Sequence, residues 1–78
     1  MTNHDKYISI FIESFDINEE DTKAAKYQEV EGWDSVGHMQ LIAALEEAFD
    51  IMLDTEDIID FSSFEKGKEI LKKYGVEF

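Results

Sequence analysis

Three side chains that could do chemistry stand close together: Asp34, Ser35 and His38. On a helix Ser35 and His38, three apart, share a face. A carboxylate, a serine and a histidine are the parts of a nucleophilic hydrolase. The surroundings argue against that use. Such a serine sits on a strand–turn–helix elbow, and nothing before Ser35 reads as a strand. A chain of 78 residues also has little material for a substrate cleft of its own. His38 therefore reads as a solvated surface histidine, and with His4 as the other histidine no histidine metal site is expected. Calcium is the second chemistry that the carboxylates suggest. An EF-hand loop needs oxygen ligands at its first, third and fifth positions, glycine at the sixth and glutamate at the twelfth. Starting at Asp16, Asn18 and Glu20 fit, but the sixth position is Asp21 and the twelfth Tyr27. Starting at Asp50, the third position is Met52. No catalytic residue and no metal ligand is expected.

The residues around these candidates belong to a strongly acidic chain, with 19 Asp and Glu against seven lysines, no arginine and a formal charge of −12. Hydrophobic residues at 44% and aromatics at 13% are too many for a disordered acidic tail. One domain over residues 1–78 is expected, and a chain of this size buries only about 60% of the surface its unfolded form exposes. The absence of cysteine excludes disulfides, zinc–thiolate sites and a thiol nucleophile. Met1 to Ile12 forms neither a signal-peptide core nor a membrane span, so the expected location is cytoplasmic. At this charge the phosphates of nucleic acids and anionic lipid surfaces repel the chain, which is expected to be a monomer. Between Lys26 and Lys66 there is no basic residue, and eleven acids lie there. That distribution suits docking onto basic patches of larger proteins, and equally a solvated surface that keeps the protein soluble.

Helical periodicity dominates the elements. Ile8, Phe11, Ile12 and Phe15 make one apolar face of an N-terminal helix, with Thr2 or Asn3 as its cap. Asp16 to Glu31 is polar, with Ala24, Ala25, Tyr27 and Val30 as anchors, and reads as an ordered loop with at most a helical turn. Gly32 marks a break. From Ser35 to Phe49 the pattern is strongest: Leu41, Ile42, Leu45 and Phe49 form a core stripe with Met39 at its flank, and Asp34 or Ser35 caps the start. Asp54 to Asp60 reads as a short helix. A last helix runs from about Ser62 or Ser63 to Tyr74, where Gly75 ends it. The expectation is an all-α four-helix bundle: three main helices, a short third one, and a long loop between the first two.

A serine before a helix is ordinarily a cap, but here its neighbours form a larger pattern. Gly32-Trp33-Asp34-Ser35-Val36, followed by Leu41-x-x-x-Leu45-Glu46-x-x-Phe49, resembles the acyl and peptidyl carrier protein family, with its Asp-Ser-Leu motif and Leu-x-x-x-Leu-Glu-x-x-Phe helix. The resemblance covers the whole chain. It implies a 4′-phosphopantetheine arm on Ser35, attached from coenzyme A by a phosphopantetheinyl transferase, with acyl or aminoacyl groups carried as thioesters on the arm's thiol. It gives Asp34 and Val36 as the motif flanking the serine, Asp34 helping to hold the transferase's Mg²⁺. A phosphodiester on a helix start also meets free N–H groups and a favourable dipole.

The resemblance further implies recognition by acyl- or aminoacyl-loading ligases, synthases or transferases with basic docking patches. Val36, Gln40, Ala43 and Glu47 fall on one helix face apart from the core stripe, and Glu46, Glu47, Asp54, Glu56 and Asp57 would supply the charges. Met39, Ile42, Ile58, Ile59 and Phe61 could line a cleft for an acyl chain, although apolar residues at helical spacing favour a packed core. Three departures from the family pattern point to a specialised carrier: Val36 for leucine, the bulk of Trp33, and Asp54 where many fatty-acid carriers have proline. Whether the pathway is fatty-acid, polyketide, peptide or cell-surface chemistry stays open. The rival reading is an acidic helical adaptor without a prosthetic group.

Overall fold

A capping box starts the first helix: Thr2 Oγ1 accepts from the Asp5 N–H at 3.1 Å, and the Asp5 carboxylate accepts from the Thr2 N–H. The computed structural model describes residues 2–78. Their helices are α1 (Asn3–Phe15), α2 (Glu19–Thr22), α3 (Ser35–Phe49), α4 (Thr55–Asp60) and α5 (Phe64–Lys73). All five are α-helical, and the sole β feature among the described residues is one isolated bridge between Lys26 and Ser63. No helix of these residues is long and apolar enough to cross a membrane.

The buried face of α1 holds Ile8, Phe11 and Phe15 as the periodicity predicts, with Ile12 only half-buried. It also holds Tyr7, whose hydroxyl donates to the Phe64 carbonyl at 2.6 Å and so ties α1 to α5. Burial pushes that hydroxyl's pKa far up, and the nearby Glu65 charge adds to it. Against α1 pack α2 and α3. From α3, Leu41, Ile42 and Leu45 are buried and Phe49 is half-buried.

The long polar segment is ordered by backbone pairing with the start of α5. Tyr27 N–H donates to the Ser62 carbonyl at 2.8 Å, and Phe64 N–H to the Ala25 carbonyl at 3.0 Å. Ala25 is buried, while Ala24, an expected anchor, is exposed. The helical turn in this segment is α2, which makes five helices where four were expected. Thr22 at its end is fully buried, its hydroxyl donating to the Glu19 carbonyl at 2.7 Å.

Aromatic rings fill the middle. Trp33, Tyr7, Phe11, Phe61 and Phe64 are each at most 1% exposed. Ring centroids of Phe11 lie 5.4 Å from Trp33 and 5.1 Å from Phe64, and Phe15 stacks on Trp33 at 5.1 Å. Trp33 is thus a central core residue as well as a neighbour of the motif.

Two carboxylates expected on the outward acidic surface are used inside the fold. Asp57 is buried at 8% exposure; its Oδ1 accepts from Lys73 Nζ at 2.6 Å and its Oδ2 from the Tyr74 hydroxyl at 2.5 Å. The same Tyr74 oxygen accepts from the Asp54 N–H at 2.9 Å, so α4 is held at its first turn by the end of α5. Glu46 is half-buried and accepts from the Leu53 N–H at 2.9 Å, which fixes the link between α3 and α4. In both cases the partner lies far along the chain or in a loop, where helical phase gives no sign of it.

Candidate functional site

The start of α3 is built by a turn that comes very close to the helix. Gly32 adopts φ 91°, a left-handed conformation, and sends Trp33 into the core. A Cβ on Gly37 would lie 1.8 Å from the Gly32 carbonyl oxygen, so only glycine lets the loop pack on the first turn. Asp34 is the N-cap: its Oδ1 accepts from the Gly37 N–H at 2.9 Å and its carbonyl from the His38 N–H at 2.7 Å.

Ser35 follows as the first helical residue and is exposed. Its Oγ lies 3.3 Å from the Tyr27 hydroxyl. Asp34 and Val36 beside it are also exposed, Val36 at 68%. Gln40, Ala43 and Glu47 continue this outward face along α3, and Asp54 and Glu56 are exposed around the first turn of α4.

His38 differs from its sequence reading. It is half-buried, with Nδ1 accepting from the Trp33 indole N–H at 2.9 Å and Nε2 lying 2.7 Å from the Ile58 carbonyl. An indole N–H can only donate, so the hydrogen of the neutral ring sits on Nε2 and is donated to Ile58. Both nitrogens are therefore committed to structure. The ring lies nearly parallel to that of Trp33, at an interplanar angle of 16°.

Beside Ser35 an open cleft of about 340 Å³ lies between α3 and α4, lined by Tyr27, Ser35, His38, Met39, Ile58, Ile59 and Phe61. Four of the five residues expected to line a cleft meet here. Ile42 does not: at 1% exposure it belongs to the packed core beneath. Met39 and Ile59 are 54% and 73% exposed, so the cleft is a depression above the core. Tyr27, His38 and Ser35 itself were not among the expected lining. Tyr27 comes from the long polar segment, whose path is visible only in three dimensions.

The geometry is that of a hydroxyl offered to another molecule. Ser35 stands exposed at a helix N-terminus, where anionic groups are favoured, next to an apolar cleft. These residues fit a phosphodiester-linked group. The family model described as "Phosphopantetheine attachment site" matches residues 8–66 of the 78. The chain belongs to the phosphopantetheine attachment site family. No curated protein matches the chain.

Membership gives the all-α bundle its meaning: this is a carrier-type domain, and its prosthetic group is 4′-phosphopantetheine. Domains of the family are modified by a phosphopantetheinyl transferase and work with biosynthetic enzymes; they are not themselves catalytic. The matched segment runs from within α1 to the first turn of α5 and so includes Ser35, its cap and the whole cleft.

Proposed function

We propose that Ser35 is the attachment residue and that the protein, not itself an enzyme, carries acyl or aminoacyl groups to partner enzymes. The observation that carries this reading is the exposed Ser35 hydroxyl at the N-terminus of α3, capped by Asp34, inside the family-matched segment. When bound, the arm supplies the thiol that the chain lacks and holds the cargo as a thioester.

The chain's own residues have definable tasks. Ser35 Oγ gives its proton to the transferase and bonds to the pantetheine-side phosphorus of coenzyme A's diphosphate, whose P–O bond to the other phosphate breaks as adenosine 3′,5′-bisphosphate leaves. Asp34 Oδ1 is engaged by the Gly37 N–H, and its exposed carboxylate keeps its second oxygen for the transferase's Mg²⁺. The N–H groups of the first turn and the helix dipole favour the resulting phosphodiester. Val36, Gln40, Ala43 and Glu47 form a contiguous outward face on α3, with Asp54 and Glu56 nearby in the chain, suited to partners with basic patches. Rim charges of this kind contribute about 0–1 kcal/mol each and act mainly on association rate, which suits a shuttle that must also leave.

The test is to load the protein with coenzyme A and a broad-specificity phosphopantetheinyl transferase, digest it, and sequence the modified peptide by fragment mass. The reading requires the added mass on Ser35. Mass on Ser62 or Ser63, at the other serine-bearing helix start, would move the site.

A further inference from the structure

The arm proposed on Ser35 must hold its cargo somewhere, and the inside of the bundle limits where. An apolar chain tethered there would leave water if the cleft opened inward. The way inward runs between the first turn of α3 and the end of α4, and there Trp33 Nε1–H donates to His38 Nδ1 while His38 Nε2–H donates to the Ile58 carbonyl. A single imidazole thus ties the loop before α3, α3 itself and α4 across the floor of the cleft. Behind it stand Phe61 and Trp33, at most 1% exposed, with ring centroids 6.4 Å apart and 6.1 and 6.2 Å from the His38 ring. A chain entering here would have to break two hydrogen bonds and displace rings that already fill the space.

We infer that the Trp33–His38–Ile58 bridge bars cargo from the bundle interior, so that this carrier holds short-chain or polar acyl groups, aminoacyl groups included, outside the core. The inference depends on the Ser35 reading and adds the class of cargo. The cleft is consistent with it. An enclosed apolar cavity of about 150 Å³ takes one benzene ring. At about 340 Å³ this cleft has more than that volume, but it is open to solvent and Met39 and Ile59 in its lining are 54% and 73% exposed, so a group lying in it is covered on one side only. A long alkyl chain would keep its outer side in water.

The experiment loads the wild-type protein from acyl-coenzymes A running from acetyl to myristoyl, confirms each by intact mass, and measures thioester cleavage by hydroxylamine together with the melting temperature. Cleavage rates should agree within about twofold across the series, with no rise in melting temperature. A cleavage rate that falls about tenfold or more with chain length, as expected where reaction requires local opening, would overturn the inference. The variant His38→Ala should acquire that length dependence. If it stays folded and does not, His38 loses its assigned role as the bar; if it unfolds, the wild-type series still decides. A failure of every acyl group to load would instead overturn the Ser35 reading.

Discussion

The Trp33 indole N–H meets His38 Nδ1 at 2.9 Å, and this one contact decides which nitrogen of His38 carries its hydrogen. With Nδ1 occupied as an acceptor, Nε2–H points to the Ile58 carbonyl at 2.7 Å. Nitrogen chemical shifts of the imidazole at neutral pH should show the Nε2–H tautomer. The Nδ1–H tautomer would contradict the bridge.

Trp33 also touches Phe11, Phe15 and Phe61 at ring-centroid distances of 5.1 to 6.4 Å. Truncating a residue at such a centre leaves a cavity, and Trp33→Ala should cost about 3–5 kcal/mol. Chemical denaturation measures this. A cost under about 1 kcal/mol would mean the ring cluster is not the centre of the core.

Asp57, Lys73 and Tyr74 give a pH dependence whose sign follows from their bonds. The hydrogen bond from Lys73, then that from Tyr74, holds the Asp57 carboxyl below the usual carboxylate range. Its contribution is therefore complete above the unfolded value of about 3.9 and disappears as pH falls through the lower folded value. Lys73 is shifted up by the same hydrogen bond, so on the alkaline side its contribution is complete below the unfolded lysine value of about 10.4 and is lost as pH rises through the higher folded value. Asp57→Asn should melt several degrees lower than wild type at neutral pH, and the gap should close in strong acid. A gap that is constant from neutral pH to strong acid would count against the pairing.

Gly37→Ala tests the close approach at the site. The added methyl would meet the Gly32 carbonyl at 1.8 Å, a backbone atom that moves only with the loop. The variant should lose more than about 1 kcal/mol of stability and should be loaded more slowly, because Ser35 stands on the same turn. Unchanged stability would show that the loop shifts freely.

Much of this architecture is legible in the residues. Ile8, Phe11 and Phe15, or Leu41, Ile42 and Leu45, recur at helical spacing, and Thr2, Asp34 and Ser63 cap the helices they precede. Helical phase also places Val36, Gln40, Ala43 and Glu47 outward. What local pattern cannot show is which polar residue meets a distant partner. His38 reads as solvated because Ile58, its acceptor, lies twenty residues on. Asp57 reads as surface charge because Lys73 and Tyr74 return to it only when α5 packs. Trp33 lies in the loop before α3, where no helical spacing marks it as core, and the partners of its indole N–H and of the Tyr7 hydroxyl, His38 and the Phe64 carbonyl, meet them only in three dimensions.

The net charge of −12 gives a further expectation. Like charges repel across so small a bundle, whose described residues extend 28 × 28 × 18 Å, and screening should relieve that repulsion. The melting temperature should rise with added salt or divalent cation. Indifference to both would show that the repulsion is already relaxed in the folded state.

The central claim is the role of Ser35, and intact mass tests it most directly. Wild type and Ser35→Ala are incubated with coenzyme A, Mg²⁺ and a broad-specificity phosphopantetheinyl transferase. Wild type should gain the mass of one phosphopantetheinyl group and Ser35→Ala none. An equal gain in both proteins, or none in folded wild type with more than one transferase, would contradict Ser35 as the attachment residue.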